Sequence, residues 1–208
     1  MQMKKYPDRS SLTSISPLPW YDPQTDNIAV KILNRLMNRS NTCMGTTYLT
    51  AVKWAGHVLG TDSYDSWTEK EYYSNLEEFV IRDIDITTSS YHNKLFNSLF
   101  GDKAKATQVK FSVTDLIKHI KNEKAPVIFS IDVRKAFNPK ATSPMGHIVM
   151  AVAQCSNGIT IHDPRGKYDT KYNDLQGANS FFSYELLEEI ARKEVMNLIS
   201  IPEKKKKK

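Results

Sequence analysis

NTCMGTTYLTAVKWAG, residues 41–56, is the stretch on which the reading of this chain turns. From Cys43 onward, Tyr48, Leu49, Val52, Ala55 and Leu59 recur at helical spacing, so Cys43 is expected where a helix begins. A thiol in that place meets unpaired backbone N–H groups and the positive end of the helix dipole, which favour thiolate over thiol. The rest of the chain is then read as a search for a base, a group that orients the base, and oxyanion donors.

Upstream, residues 1–25 are rich in Ser, Pro and Asp and are expected to form an extended N-terminal arm anchored by Trp20 and Tyr21. Asp26 is placed to cap a helix carrying Ile28, Ile32, Leu33, Leu36 and Met37 on one face, closing near Asn38. Downstream of Gly56, Thr68 and Glu71 form a capping-box pattern before Tyr72, Leu76, Phe79 and Val80. A helix is expected over residues 90–100 with Gly101 as its stop, then a polar loop over 101–111 with a short extended piece. Ser112 caps a further helix through Leu116, Ile117 and Ile120, which closes before Pro126.

Beyond Pro126 the pattern becomes β-branched. PVIFSIDV (126–133), HIVMAVAQC (147–155) and GITIHD (158–163) read as strands. The last two are joined through Asn157-Gly158, a strong hairpin signal. Ser183 caps a last helix, and VMNLISI supplies a closing strand. Helices in the N-terminal half followed by an antiparallel sheet predict an α+β fold, with residues 26–203 as one domain and 204–208 as a lysine tail. Loops 61–67 and 134–146 are expected to border the cleft.

Composition narrows the function classes. The chain has 208 residues, 40% hydrophobic and 25% charged, which is ordinary for a globular domain. Of the formal charge of +6, the run from Lys204 to Lys208 accounts for most, so the body is nearly neutral. That run reads as a solvated or added tail, or as an aid in approaching an anionic polymer. The body has no basic stripe with interleaved aromatics, which argues against nucleic-acid binding. No apolar run approaches the roughly 20 residues of a membrane span, and the N-terminus shows no signal-peptide h-region. Manufacture in the cytoplasm is therefore expected.

Two cysteines, Cys43 and Cys155, do not make a disulfide framework, and Cys155 at the end of an apolar run reads as a small buried side chain. Among the histidines, His57 lies about 21 Å of helical rise from Cys43 and is excluded as its base. His92 and His119 read as solvated residues on the polar sides of helices. His147 and His162 remain. If the hairpin pairs symmetrically about Asn157-Gly158, paired residue numbers sum to about 315, which brings His147 toward the region just beyond Asp163. The reading is Cys43 as nucleophile, His147 as base and Asp163 as the group that orients it. A structural His147–Asp163 pair and His162 as the base are the alternatives. The oxyanion is expected to meet the Cys43 N–H and a side-chain amide from Asn34, Asn38 or Asn41, with Asn38 preferred. No cofactor is expected, and no pair of ligand types has a usual zinc spacing.

The quoted residues also carry a resemblance. N-x(4)-C followed by T-x-x-L-x-A, then GHIVMAVAQCSNGITIHDPRGKY, resembles the papain-like cysteine peptidases of the C39-like group. The segment DPRGKYDTKYNDLQGANSFFSYELLEEI is similar to the variant found in phage and bacterial cell-wall hydrolases. The resemblance covers roughly residues 30–190 and implies a papain-like fold, thiol-dependent peptide cleavage, and a Cys-His-Asp set on Cys43, His147 and Asp163. This chain departs from family members in offering Asn rather than Gln upstream, and Met44-Gly45 after the cysteine. It also lacks a fused transporter segment, so leader processing is not expected. The expected activity is cleavage of the peptide part of peptidoglycan by an endolysin-like enzyme released through a holin. A protein-processing cysteine peptidase and a non-catalytic binding domain are the alternatives.

Overall fold

A computed structural model describes residues 13–14, 43–77, 89–137, 140, 142–143, 145–174 and 176–202. The expected helix over 26–38, the bulk of the N-terminal arm and the lysine tail lie outside these residues, as do Asn34, Asn38 and Asn41.

Strand β1 (Thr13–Ser14) comes first among the described elements, and helix α1 (Cys43–Val58) follows. Helix α1 is buried on nearly all sides from Cys43 to Gly56, as befits a central helix. Helix α2 (Glu69–Glu77) opens on the expected capping box: the Thr68 N–H donates to Glu71 Oε2 at 2.6 Å, and the Glu71 N–H reaches Thr68 Oγ1 at 3.4 Å. Helix α3 (Ser89–Phe100) stops at Gly101, whose φ of 55° suits glycine. Helix α4 (Val113–Glu123) starts where expected, with Ser112 Oγ accepting from the Asp115 N–H at 3.2 Å.

The remaining strands are β2 (Lys105–Lys110), β3 (Val127–Asp132), β4 (Gly146–Cys155), β5 (Gly158–His162), β6 (Ser180–Ser183) and β7 (Ala191–Ser200). A short helix α5 (Arg134–Phe137) follows β3, and α6 (Tyr184–Ile190) links β6 to β7. The sheet is antiparallel in the order β2-β7-β3-β4-β5-β6, and β1 pairs with Ala153 and Gln154 of β4, beyond the reach of β3. One face of the sheet, through Ile128, Met150, Val152 and Ile199, packs on α1, α2 and α3. The opposite face, through Val127, Phe129, Val149, Ile161 and Met196, is covered by Leu116 and Ile120 of α4 and Leu187 of α6.

Two expectations are corrected here. The segment read as a polar loop with a short extended piece holds a six-residue edge strand, β2, in which Ala106 alone is fully buried, so it shows no apolar alternation to read. The β4–β5 hairpin is also tighter than a turn centred on Asn157-Gly158. Cys155 pairs with Gly158 across a Ser156-Asn157 turn and, past an irregularity between Ala151 and Ala153, Met150 pairs with His162. Gly158 belongs to the strand because a Cβ there would stand 2.3 Å from the Phe182 carbonyl oxygen of β6. Its glycine serves strand packing. Cys155 is buried as expected, with its thiol 3.0 Å from Asn157 Oδ1.

Candidate active site

Cys43 is the first residue of α1 and is buried. The helix is tied to β4 by Thr47, whose hydroxyl donates to the Ile148 carbonyl at 3.2 Å. That tie sits next to His147, whose imidazole hydrogen-bonds the Cys43 side chain. The other side of the ring meets Asp163: His147 Nε2 donates to Asp163 Oδ1 at 2.6 Å. With Nε2 so occupied, Nδ1 is the ring nitrogen left for Cys43. The structure therefore brings together the three residues singled out from the sequence.

Both His147 and Asp163 are buried. Burial works against charge on the imidazole, but the Asp163 carboxylate and the contact with Cys43 outweigh it and raise the His147 pKa to about 10. Asp163 in turn is held from several directions. Its Oδ1 accepts from the Arg165 N–H at 2.9 Å, and its Oδ2 accepts from the Tyr172 hydroxyl at 3.1 Å. Burial, and then the neighbouring carboxylate, push the Tyr172 phenol far above its usual pKa, so it stays a donor. The Asp163 N–H donates to the Gly177 carbonyl at 3.0 Å. A Cβ on residue 177 would stand 1.9 Å from the Asp163 carbonyl oxygen, so only glycine fits.

Tyr172, Gly177 and the Arg165 amide were not singled out as site residues. Their signal was present in DPRGKYDTKYNDLQG, where the spacing of Gly, Tyr and Gly after Asp163 marks a loop that folds back on the aspartate.

His162, the alternative base, is buried beside the same loop but turned elsewhere. Its Nδ1 accepts from the Asn179 N–H at 3.3 Å, and burial lowers its pKa to about 4, which keeps the ring neutral. His57 is exposed at the far end of α1. The reading of His92 and His119 as solvated is wrong. His92 is buried against Tyr72, with its Nδ1 2.8 Å from the hydroxyl, because α3 packs against both α1 and α2. His119 is buried and its Nε2 donates to the Ile199 carbonyl of β7 at 2.8 Å; burial lowers its pKa.

A second group of residues surrounds the start of α1. Thr46 Oγ1 donates to the buried Glu69 carboxylate, and the Gly45 N–H donates to the phenol of buried Tyr73. A Cβ on residue 45 would lie 2.2 Å from Tyr73 Oη, so glycine lets α2 approach next to the cysteine. Among the described residues, no group of three or more His, Cys, Asp or Glu side chains is arranged to hold a metal ion. None of the described helices is long and apolar enough to cross a membrane.

Comparison with known proteins places these residues in context. The model of the Peptidase_C39 like family matches residues 23–190. No curated protein sequence matches the chain. Among solved structures, the crystal structure of a protein from Bacillus anthracis, assigned there as a C39-like peptidase, has a TM-score of 0.53 at 13% identity. The match covers 92% of this chain and 98% of that one, and at this identity it speaks for the fold.

Proposed function

This chain belongs to the Peptidase_C39 like family and is a cysteine peptidase, and from that premise we propose that it cleaves amide bonds in the peptide part of bacterial peptidoglycan, using Cys43, His147 and Asp163. The observation that carries the site is the single imidazole of His147, bonded to Cys43 on one side and to Asp163 Oδ1 at 2.6 Å on the other.

In the proposed cycle, imidazolium and thiolate form an ion pair. The Cys43 sulfur attacks the amide carbonyl, and the carbonyl oxygen becomes an oxyanion held by the Cys43 N–H and the Asn38 side-chain amide. His147 gives its proton to the leaving amine as the C–N bond breaks. The acyl group is left on sulfur as a thioester. Neutral His147 then takes a proton from water, hydroxide adds to the thioester, and collapse releases the carboxylic acid and restores the thiolate. Asp163, braced by Tyr172 and the Arg165 amide, keeps the ring from rotating and balances its charge.

The wall as substrate rests on the segment from Asp163 to Ile190, which is similar to the cell-wall hydrolase variant and supplies the Tyr172 and Gly177 contacts to Asp163. Residues 26–203 form the peptidase domain in this reading, and release through a holin would bring the enzyme to its substrate.

The test is to treat a panel of isolated peptidoglycans with the wild type and Cys43→Ala, and to identify soluble products by mass spectrometry. Muropeptides released by the wild type alone are expected, and their masses give the bond. If the wild type releases none while cleaving unfolded protein, the substrate is protein and the wall reading is overturned. Fragments from the mutant would remove Cys43 as nucleophile.

A further inference from the structure

A pocket of about 330 Å³ opens between α1 and the sheet, lined in part by Met44, Ile128, Ile148, Arg192 and Asn197. Met44 directly follows Cys43, and Ile148 directly follows His147. A peptide whose scissile amide sits at Cys43 therefore has a neighbouring side chain within reach of this pocket.

Arg192 and Asn197 offer the pocket donors, and the Glu194 carboxylate lies in the lining with them. Arg192, near the start of β7, lies against the backbone of Gly146, where a Cβ would be 2.6 Å from its Nη1. The missing side chain at Gly146, one residue before His147, is what lets a guanidinium approach this end of β4. Arg192 Nη2 holds Glu194 Oε1 at 2.7 Å, in a pair whose Glu194 side chain is 67% exposed. An ion pair that open contributes little, and the guanidinium has further N–H groups to offer.

Asn197 is buried and stands at the end of a hydrogen-bonded chain. The Tyr48 hydroxyl donates to Asn93 Oδ1 at 2.7 Å, and Asn93 Nδ2 donates to Asn197 Oδ1 at 2.8 Å. Because the chain enters Asn197 at its oxygen, the group this residue offers the pocket is its NH₂. Apolar walls from Met44, Ile128 and Ile148 lie between these two donors.

We propose that this pocket is a specificity subsite for a substrate residue carrying a carboxylate on a short aliphatic stem, next to the scissile amide. Arg192 supplies the charge and Asn197 a hydrogen bond, while the apolar walls take the stem. The subsite rests on the reading of Cys43 as nucleophile, and it holds for a wall peptide or a protein alike.

The experiment uses two substrate sets with the full chain: muropeptides bearing either a free carboxylate or its amide beside each candidate bond, and a peptide library derived from denatured protein. Cleaved bonds are located by mass spectrometry, and kcat and KM are measured on the best pair for the wild type, Arg192→Gln and Arg192→Lys. The wild type is expected to favour the carboxylate over the amide by about tenfold, mainly through KM. Arg192→Gln should reduce that ratio to about one, and Arg192→Lys should keep part of it. Equal cleavage of carboxylate and amide, or a preference unchanged in Arg192→Gln, overturns the subsite even if the wall is cut. Acidic selectivity on the protein-derived library with no cleavage of muropeptides supports the subsite and overturns the wall. Cleavage of neither set overturns both.

Discussion

Tyr172 places its hydroxyl 3.1 Å from Asp163 Oδ2, on the carboxylate oxygen that His147 does not use. The aspartate is thereby gripped at both oxygens, and its plane is fixed relative to the imidazole. Removing this hydroxyl with Tyr172→Phe leaves the ring packing in place and deletes one hydrogen bond, worth about 1 kcal/mol, which corresponds to about fivefold in rate. The expected result is a fall of that size in kcat with little change in KM. Steady-state kinetics beside a thermal melt would check it, and an unchanged kcat would confine Tyr172 to a structural role.

Gly177→Ala should be far more damaging than its size suggests. The added methyl meets backbone, at 1.9 Å from the Asp163 carbonyl oxygen, so it cannot be relieved by a rotamer change. A loss of about 3 kcal/mol in stability is expected, together with loss of activity. Gly60→Ala is the comparison: its φ of 69° strains a side chain, but nothing lies within 4 Å of the new atom. It should cost about 1 kcal/mol and spare the activity. Equal effects at the two positions would contradict this account of the loop.

Gly45→Ala tests the start of α1. Its methyl would lie 2.2 Å from Tyr73 Oη, and Tyr73 is buried at 2% exposure, so the phenol has little room to retreat. The helix start must shift and take Cys43 with it. A drop of about tenfold in kcat/KM is expected, since small displacements of a nucleophile are costly. Enlarging the space with Tyr73→Leu in the same chain should restore part of the activity. No recovery would mean that the clash lies elsewhere.

Two of the buried histidines, His147 and His162, set opposite pH limits. His147 has a pKa of about 10 in the folded protein against 6.5 unperturbed, so its proton stabilises the fold fully below pH 6.5, and that contribution is lost as pH rises through 10. His162 has a folded pKa of about 4 against 6.5, so its contribution is present above pH 6.5 and is lost as pH falls through 4. Melting temperature should therefore be highest near pH 6.5 and decline on both sides. Asp163→Asn, which removes the main support for the charge on His147, should flatten the alkaline decline and leave the acid side in place. Melts in buffers from pH 4 to 10 would show whether it does.

Much of this arrangement was legible because local chemistry and tertiary role agreed. The Cys43 helix start, the Thr68–Glu71 box and the caps at Ser112 and Ser183 are decided by neighbouring residues, and they fold as read. The pairing of His147 with Asp163 was reached from an imprecise register. The expected alignment was about three positions looser than the observed one, yet Asp163 directly follows β5 and reaches back across the strand gap to the ring.

The misses share a cause. A helical wheel sorts residues by polarity and cannot show that a helix is contacted on several sides, so His92 and His119 were placed in solvent. Strand β2 pairs along one edge with β7 and buries almost nothing, and β6 is only four residues long, so neither leaves a periodic trace. Tyr73 follows Tyr72 and carries no pattern of its own. Its place next to Cys43 depends on Gly45, 24 residues before the start of the helix that carries Tyr73, too far apart for any local pattern to show.

The order of strands also bears on how the sheet is assembled. Among the described strands β7 comes last in the chain, yet it lies between β2 and β3. While the ribosome is still adding residues 191–200, β2 has no neighbour to pair with and β3 lacks one side. The pairings β3-β4-β5-β6, which carry His147 and lead to Asp163, need no residue of β7. Closing the sheet therefore waits on the last of the described strands, which enters between two that precede it in the chain.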